Sequence, residues 1–209
     1  MPLYKSIAVD NETHVLIWKI TESEAELDIL PLGEKSKNRI ASMKSKLHRR
    51  AYLSVRHLLA IAEYTDTDLT YSSEGKPSLS DGVYISITHS HEFSAIILSA
   101  KPVGIDIEKQ RDKIIRIEDK FVSNREKEYL EQSKSRIKSL TILWGAKEAL
   151  YKLYGTTGLS FKNHIDVAPF DLETNYTQAS INYDENMTFY EIIFTEFEGF
   201  TCVYASNSF

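Results

Sequence analysis

Residues 4–9 and 14–20 read as strands, the second being His14-Val15-Leu16-Ile17-Trp18-Lys19-Ile20, a short apolar run rich in β-branched and aromatic residues. Thr21-Glu22-Ser23-Glu24 reads as a capping box opening a short helix. The pattern breaks at Pro31-Leu32-Gly33, and a basic helical region then runs to about Thr65. Its last part, Arg50 to Leu59, carries an apolar stripe beside a basic edge shared by Arg49 and Arg56. Strands resume at Leu69, with a turn over Tyr71–Pro77. Val83–Thr88 alternates and ends at His89-Ser90-His91. Phe93–Leu98 reads as a strand hairpinned through Lys101-Pro102 onto the next one, Val103-Gly104-Ile105-Asp106-Ile107-Glu108. Residues 109–154 are mostly helical, with a break at Ser123. Leu140, Leu143, Lys147, Leu150 and Tyr154 recur there at helical spacing, and Gly155 stops the run as a left-handed cap would. The remainder reads as strands, ending in a hairpin across Glu198-Gly199 between Phe189–Glu196 and Phe200–Ala205. This succession predicts an α+β protein of two lobes, residues 1–102 and 103–209.

Composition narrows the class. The 209 residues are 42% hydrophobic and 26% charged, as in an ordinary water-soluble globular protein. A lone cysteine, Cys202, excludes an internal disulfide and a cysteine-built zinc cluster. No run resembles a signal peptide or a membrane span, so a cytoplasmic location without membrane attachment is expected. The net charge of −5 is unevenly spread: seven Lys or Arg and no acid lie between Lys35 and Arg50, while no Lys or Arg follows Lys162. A basic segment on an acidic chain suits a local polyanion site or a solvated helix face better than nucleic acid.

Two segments carry candidate chemistry. On a strand, Asp106 and Glu108 point to one side and Ile105 and Ile107 to the other. Paired carboxylates repel unless a cation sits between them. On the following helix, Trp144, Glu148 and Lys152 form a row at i, i+4 and i+8. Taken singly, these are a solvated strand face and an ordinary Glu–Lys helix pair. If strand and helix pack together, a third carboxylate and an ammonium join the first two acids.

The order Gly-Ile-Asp-x-Glu, about forty residues, then Trp-x-x-Lys-Glu-Ala-x-x-Lys resembles the 4′-phosphopantetheinyl transferases, most of all the longer, surfactin-synthetase-activating type. Gly75-Lys76-Pro77, Ile87-Thr88-His89-Ser90 and Phe121-Val122-Ser123-Asn124-Arg125-Glu126 resemble further family segments, in the family's order. Two departures stand out. Gly145 occupies a position where the family commonly has Ser, Thr or Cys, and Gly155-Thr156-Thr157-Gly158-Leu159 is one residue longer than the usual loop.

The resemblance implies two similar α+β lobes related by a pseudo-twofold, with the cleft between them, in a monomer. It implies coenzyme A as co-substrate, with Arg50, Lys76, Thr88, His89 and Lys152 contacting it, and Mg²⁺ held by Asp106, Glu108 and Glu148. The second substrate would be an acyl or peptidyl carrier protein, whose acidic surface Lys109, Arg111, Lys113, Arg116, Lys120, Arg125 and Lys127 could receive among Ile114, Ile115, Ile117 and Phe121. Its serine would attack the β-phosphorus of coenzyme A and release 3′,5′-ADP. Glu126 is the family-matched base, with a metal-held hydroxide at Glu148 as the alternative, and Lys152 would steady the phosphate charge. Trp144 is expected to brace the helix. The carboxylate set alone equally admits a Mg²⁺-dependent nucleotide pyrophosphate phosphohydrolase, and a non-catalytic module binding coenzyme A or a carrier is the third reading.

Overall fold

The computed structural model describes residues 3–208. The chain divides into two compact units, Met1–Ala100 and Lys101–Phe209.

In the first unit, β1 (Leu3–Ala8) and β2 (Thr13–Lys19) pair antiparallel. They are followed by α1 (Glu24–Leu27), α2 (Glu34–Ser42) and α3 (Lys46–Ile61). A short ribbon, β3 (Leu69–Tyr71) with β4 (Pro77–Leu79), precedes β5 (Tyr84–Ser90) and β6 (Phe93–Ser99). The sheet order is β1-β2-β6-β5. Against it α3 buries Leu53, Leu58 and Leu59 with Leu16, Trp18, Ile85 and Ile96. The start of α2 is fixed from outside: the Asp66 carboxylate accepts from Gly33 N (2.8 Å), Ser36 Oγ (2.7 Å) and Arg56 Nε (3.0 Å). Burial pushes this carboxyl up, but those three donors outweigh it and hold it below the usual range. Arg56, on the basic edge of α3, is buried.

Two local expectations are corrected here. The capping box that opens α1 is Ser23 with Glu26, two residues later than Thr21 with Glu24. Glu24 is engaged by Arg49 Nε at 2.7 Å instead. And β6 makes no hairpin with the Asp106 strand. It pairs with β2 and β5, while the Asp106 strand belongs to another sheet.

The second unit begins with that strand, β7 (Val103–Lys109), followed by a 3₁₀ segment (Asp112–Lys120), α4 (Asn124–Leu130) and α5 (Arg136–Tyr154). Then come β8 (Ile165–Val167), β9 (Tyr176–Tyr183), β10 (Asn186–Phe197) and β11 (Phe200–Asn207), giving a sheet of order β7-β11-β10-β9-β8. The expected boundaries at Ser123 and Gly155 hold: Ser123 is the N-cap of α4, and Gly155 closes α5 at φ +70°. Glu198 and Gly199, both with positive φ, make the tight turn between β10 and β11. From Ser139 onward α5 is buried on almost every side, and there Trp144, Glu148, Tyr151, Lys152 and Tyr154 retain partial exposure.

Candidate active site

Helix α5 lies on β7 and β11, and glycine decides how closely. A methyl placed on Gly104 would overlap the carbonyl oxygen of Ala149 and stand 2.8 Å from its carbon. One placed on Gly145 would stand 2.7 Å from Val203 Cγ2. The glycine within β7 therefore permits main-chain contact between strand and helix. Gly145 faces a side chain, that of Val203, which leaves little room for a larger residue there.

Alternation along β7 sends Gly104, Asp106 and Glu108 to the α5 side. Asp106 is 5% exposed. Lys152 Nζ donates to Asp106 Oδ1 at 2.7 Å and to the carbonyl of Ile105 at 2.9 Å. The ammonium thus bonds to the strand acid, where the sequence suggested an i, i+4 pair with Glu148. Burial pushes the Glu148 carboxyl from its ordinary 4.5 up to about 7; Asp106 adds to the shift, Lys152 opposes it, and Glu108 adds more. Three carboxylates from two elements therefore share one electrostatic neighbourhood with one ammonium.

All the donors are carboxylate oxygens, which a hard divalent cation prefers, and their mutual repulsion is what such a cation relieves. In that chemistry the set fits Mg²⁺. Among the described residues, no three acidic, histidine or cysteine side chains stand close enough together to hold a metal ion as they are placed.

Glu126 does not join this group. It is fully buried. Its Oε2 accepts from Ser123 N (2.7 Å) and from Lys147 Nζ (2.8 Å), and its Oε1 from Val167 N (3.1 Å). Both oxygens are engaged and the side chain is fully buried, so in this arrangement Glu126 joins the α4 entrance, β8 and Lys147. It is not the exposed helix acid that Arg125, Lys127 and Glu128 around it would suggest.

Lys147 is the residue that sequence reasoning passed over. It is fully buried and also donates to the carbonyls of Phe121 (2.7 Å), Phe161 (2.8 Å) and Ile165 (3.0 Å). Its signal was present: it occupies a core position in the row Leu140, Leu143, Lys147, Leu150. Trp144 braces the helix as expected, its ring 5.1 Å from that of Phe121 and 5.4 Å from that of Phe161.

In the first unit, Arg50 donates to the carbonyl of Ile20 at 3.1 Å, while its buried Nε has no hydrogen-bond partner. With Lys46 it lines an open groove of about 550 Å³ beside Thr21–Ala25. His89 is exposed, its ring 6.0 Å from that of His48, whereas Thr88 is buried. Lys76 is exposed on the turn closed by Ser72 N to Lys76 O. Between β7 and α4, Arg111, Lys113, Ile115 and Arg116 are exposed, while Ile114 and Ile117 pack onto the core and Phe121 is fully buried. Arg125 pairs with Asp166 and Lys127 with Asp119.

Residues 102–204, which include the whole carboxylate group, match the sequence profile of the 4′-phosphopantetheinyl transferase superfamily. The second unit of the chain thus carries that superfamily's profile. The chain is 35% identical over 134 residues to the 4′-phosphopantetheinyl transferase gsp of Aneurinibacillus migulanus. That alignment covers 61% of this chain and 53% of the relative, so the match spans about half the relative's length. Among solved structures it is similar to holo-[acyl-carrier-protein] synthase (AcpS) of Thermotoga maritima, with a TM-score of 0.44 and 16% identity over 51% of this chain and 62% of that one. The α+β architecture expected from the sequence is the one observed. Among the described residues no helix is long and apolar enough to cross a membrane.

Proposed function

We propose that this protein transfers the 4′-phosphopantetheine arm of coenzyme A to a serine of an acyl or peptidyl carrier protein. The observation that carries the reading is the grouping of Asp106, Glu108, Glu148 and Lys152 between β7 and α5, inside the segment that matches the superfamily.

In the step proposed, the serine oxygen bonds to the β-phosphorus of coenzyme A, the bond from that phosphorus to the bridging oxygen breaks, and 3′,5′-ADP leaves. The serine proton needs an acceptor. Glu148, the partly exposed carboxylate of the group, is proposed as that acceptor through a water it holds, with the family-matched Glu126 as the alternative. Asp106, Glu108 and Glu148 would hold Mg²⁺, which supplies electrostatic neutralisation of the pyrophosphate. Lys152, on its flexible stem, exchanges its bond to Asp106 for a phosphate oxygen as substrate charge arrives. Arg50, with an unused buried donor, is a contact for a nucleotide phosphate, and His89, Thr88 and Lys76 belong to the same nucleotide-binding proposal, assigned to the first unit. The carrier would meet the exposed Arg111, Lys113, Ile115 and Arg116, where cations surround an apolar side chain.

The test is the intact mass of an apo carrier protein after incubation with this protein, coenzyme A and Mg²⁺. A gain of one phosphopantetheine arm is expected, abolished by Asp106→Ala and by EDTA. Cleavage of coenzyme A without any gain on several carriers would replace the transferase with a phosphohydrolase.

A further inference from the structure

We propose that Lys147 and Glu126 form a buried latch that fixes the rotation of α5 and thereby aims Glu148 at Asp106 and Glu108. This rests on the reading of those three carboxylates as a cation site. Successive helix residues project about 100° apart, so Lys147 and Glu148 leave the helix on different sides. Lys147 enters the core and Glu148 faces the β7 acids.

What holds Lys147 comes from two segments far apart in sequence. Phe121 and Glu126 belong to the entrance of α4, and Phe161 and Ile165 follow α5. Glu126 in turn ties the α4 entrance to β8 through Ser123 N and Val167 N. An ammonium has three protons, and four acceptors converge on it here, so its donors are fully satisfied in this orientation.

A leucine at position 147 would continue the row of Leu140, Leu143 and Leu150 and avoid the desolvation of two charges. It would also pack equally well at several neighbouring rotations. The ion pair does not tolerate that slack, because a rotated Lys147 leaves a buried charge without its partners. The pair therefore selects one helix orientation, and the residue next in sequence inherits it. Lys147 and Glu126 are positioning residues and not participants in proton transfer.

The test uses the full chain and Mn²⁺ as probe, without coenzyme A or carrier, titrated by electron paramagnetic resonance. It compares the wild type, Glu126→Gln, and the apolar pair Lys147→Met with Glu126→Leu. Both variants should bind Mn²⁺ about tenfold more weakly or worse, the effect typical of removing a residue that orients a metal ligand. Transfer rates should fall in parallel, recover at saturating Mn²⁺, and keep the wild-type pH profile. Unchanged Mn²⁺ affinity in folded variants overturns the proposal. So does a rate loss that saturating metal leaves in place while the acid limb of the pH profile disappears, because Glu126 would then be the base. A wild type that binds no Mn²⁺ overturns the cation reading first and this inference with it. If the apolar pair fails to fold, Glu126→Gln decides alone.

Discussion

Two lysines five residues apart on α5 meet carboxylates in opposite ways. Lys147 and Glu126 are both fully buried, matched one charge to one, and every oxygen of the acid is engaged. Lys152 is partly exposed and faces three acids, Asp106, Glu108 and Glu148, bonding only to the first of them among the contacts described above. The first arrangement is electrically closed and serves the architecture. The second gathers three carboxylates around one partly exposed ammonium, and it is the one proposed to receive a cation and a phosphate. Neutralisation, more than burial or residue type, separates a structural ion pair from a reactive one.

The largest effect is expected from opening the closed side. Lys147→Met alone leaves the Glu126 carboxylate buried without its cation and should cost about 3–5 kcal/mol of stability in urea denaturation. A cost under about 1 kcal/mol would erase the contrast between the two sites.

On the other side, the sign with pH is reversed from the usual carboxylate case. Folded Glu148 keeps its proton up to about pH 7, whereas the unfolded chain releases it near 4.5. Within that window the folded state binds more protons, so the metal-free protein should lose stability as pH rises, by at most about 3 kcal/mol. Glu148→Gln should flatten that slope, and a divalent cation should reverse it. A slope that survives Glu148→Gln would assign it to another group. The smallest effect belongs to the surface: Arg125→Ala breaks a solvent-screened pair with Asp166 and should change stability by less than about 0.5 kcal/mol. A larger loss would mean that exposed pairs here also brace the fold.

The grouping of carboxylates beside Lys152 was legible in the sequence because it is built from short periods. Alternation put Asp106 beside Glu108, and helical spacing aligned Trp144, Glu148 and Lys152. Ser123, Gly155 and Glu198-Gly199 were legible for a similar reason, since caps and tight turns are decided within a few residues. What local pattern could not supply was the partner. The turn at Lys101-Pro102 looks the same whether the next strand returns or leaves for another sheet, so β6 and β7 were wrongly paired. Two capping frames overlap between Thr21 and Glu26, and the outcome depends on Arg49, twenty-five residues away from Glu24. Glu126 carried a family match, but its role turns on a lysine twenty-one residues later. Lys147 stood in plain view in an apolar row, its charge concealing that the position is core.

The main-chain contact at Gly104 also bears on the mechanical character of the site. Where layers meet through side chains, small voids and alternative rotamers let the spacing breathe. At Gly104 and Ala149 there is no side chain between strand and helix to yield. The contact acts as a hard stop, and the span from the β7 acids to Glu148 is gauged by peptide dimensions. Hydrostatic pressure should therefore reach this span last, after the side-chain-filled gap between the rest of α5 and its sheet has already given way.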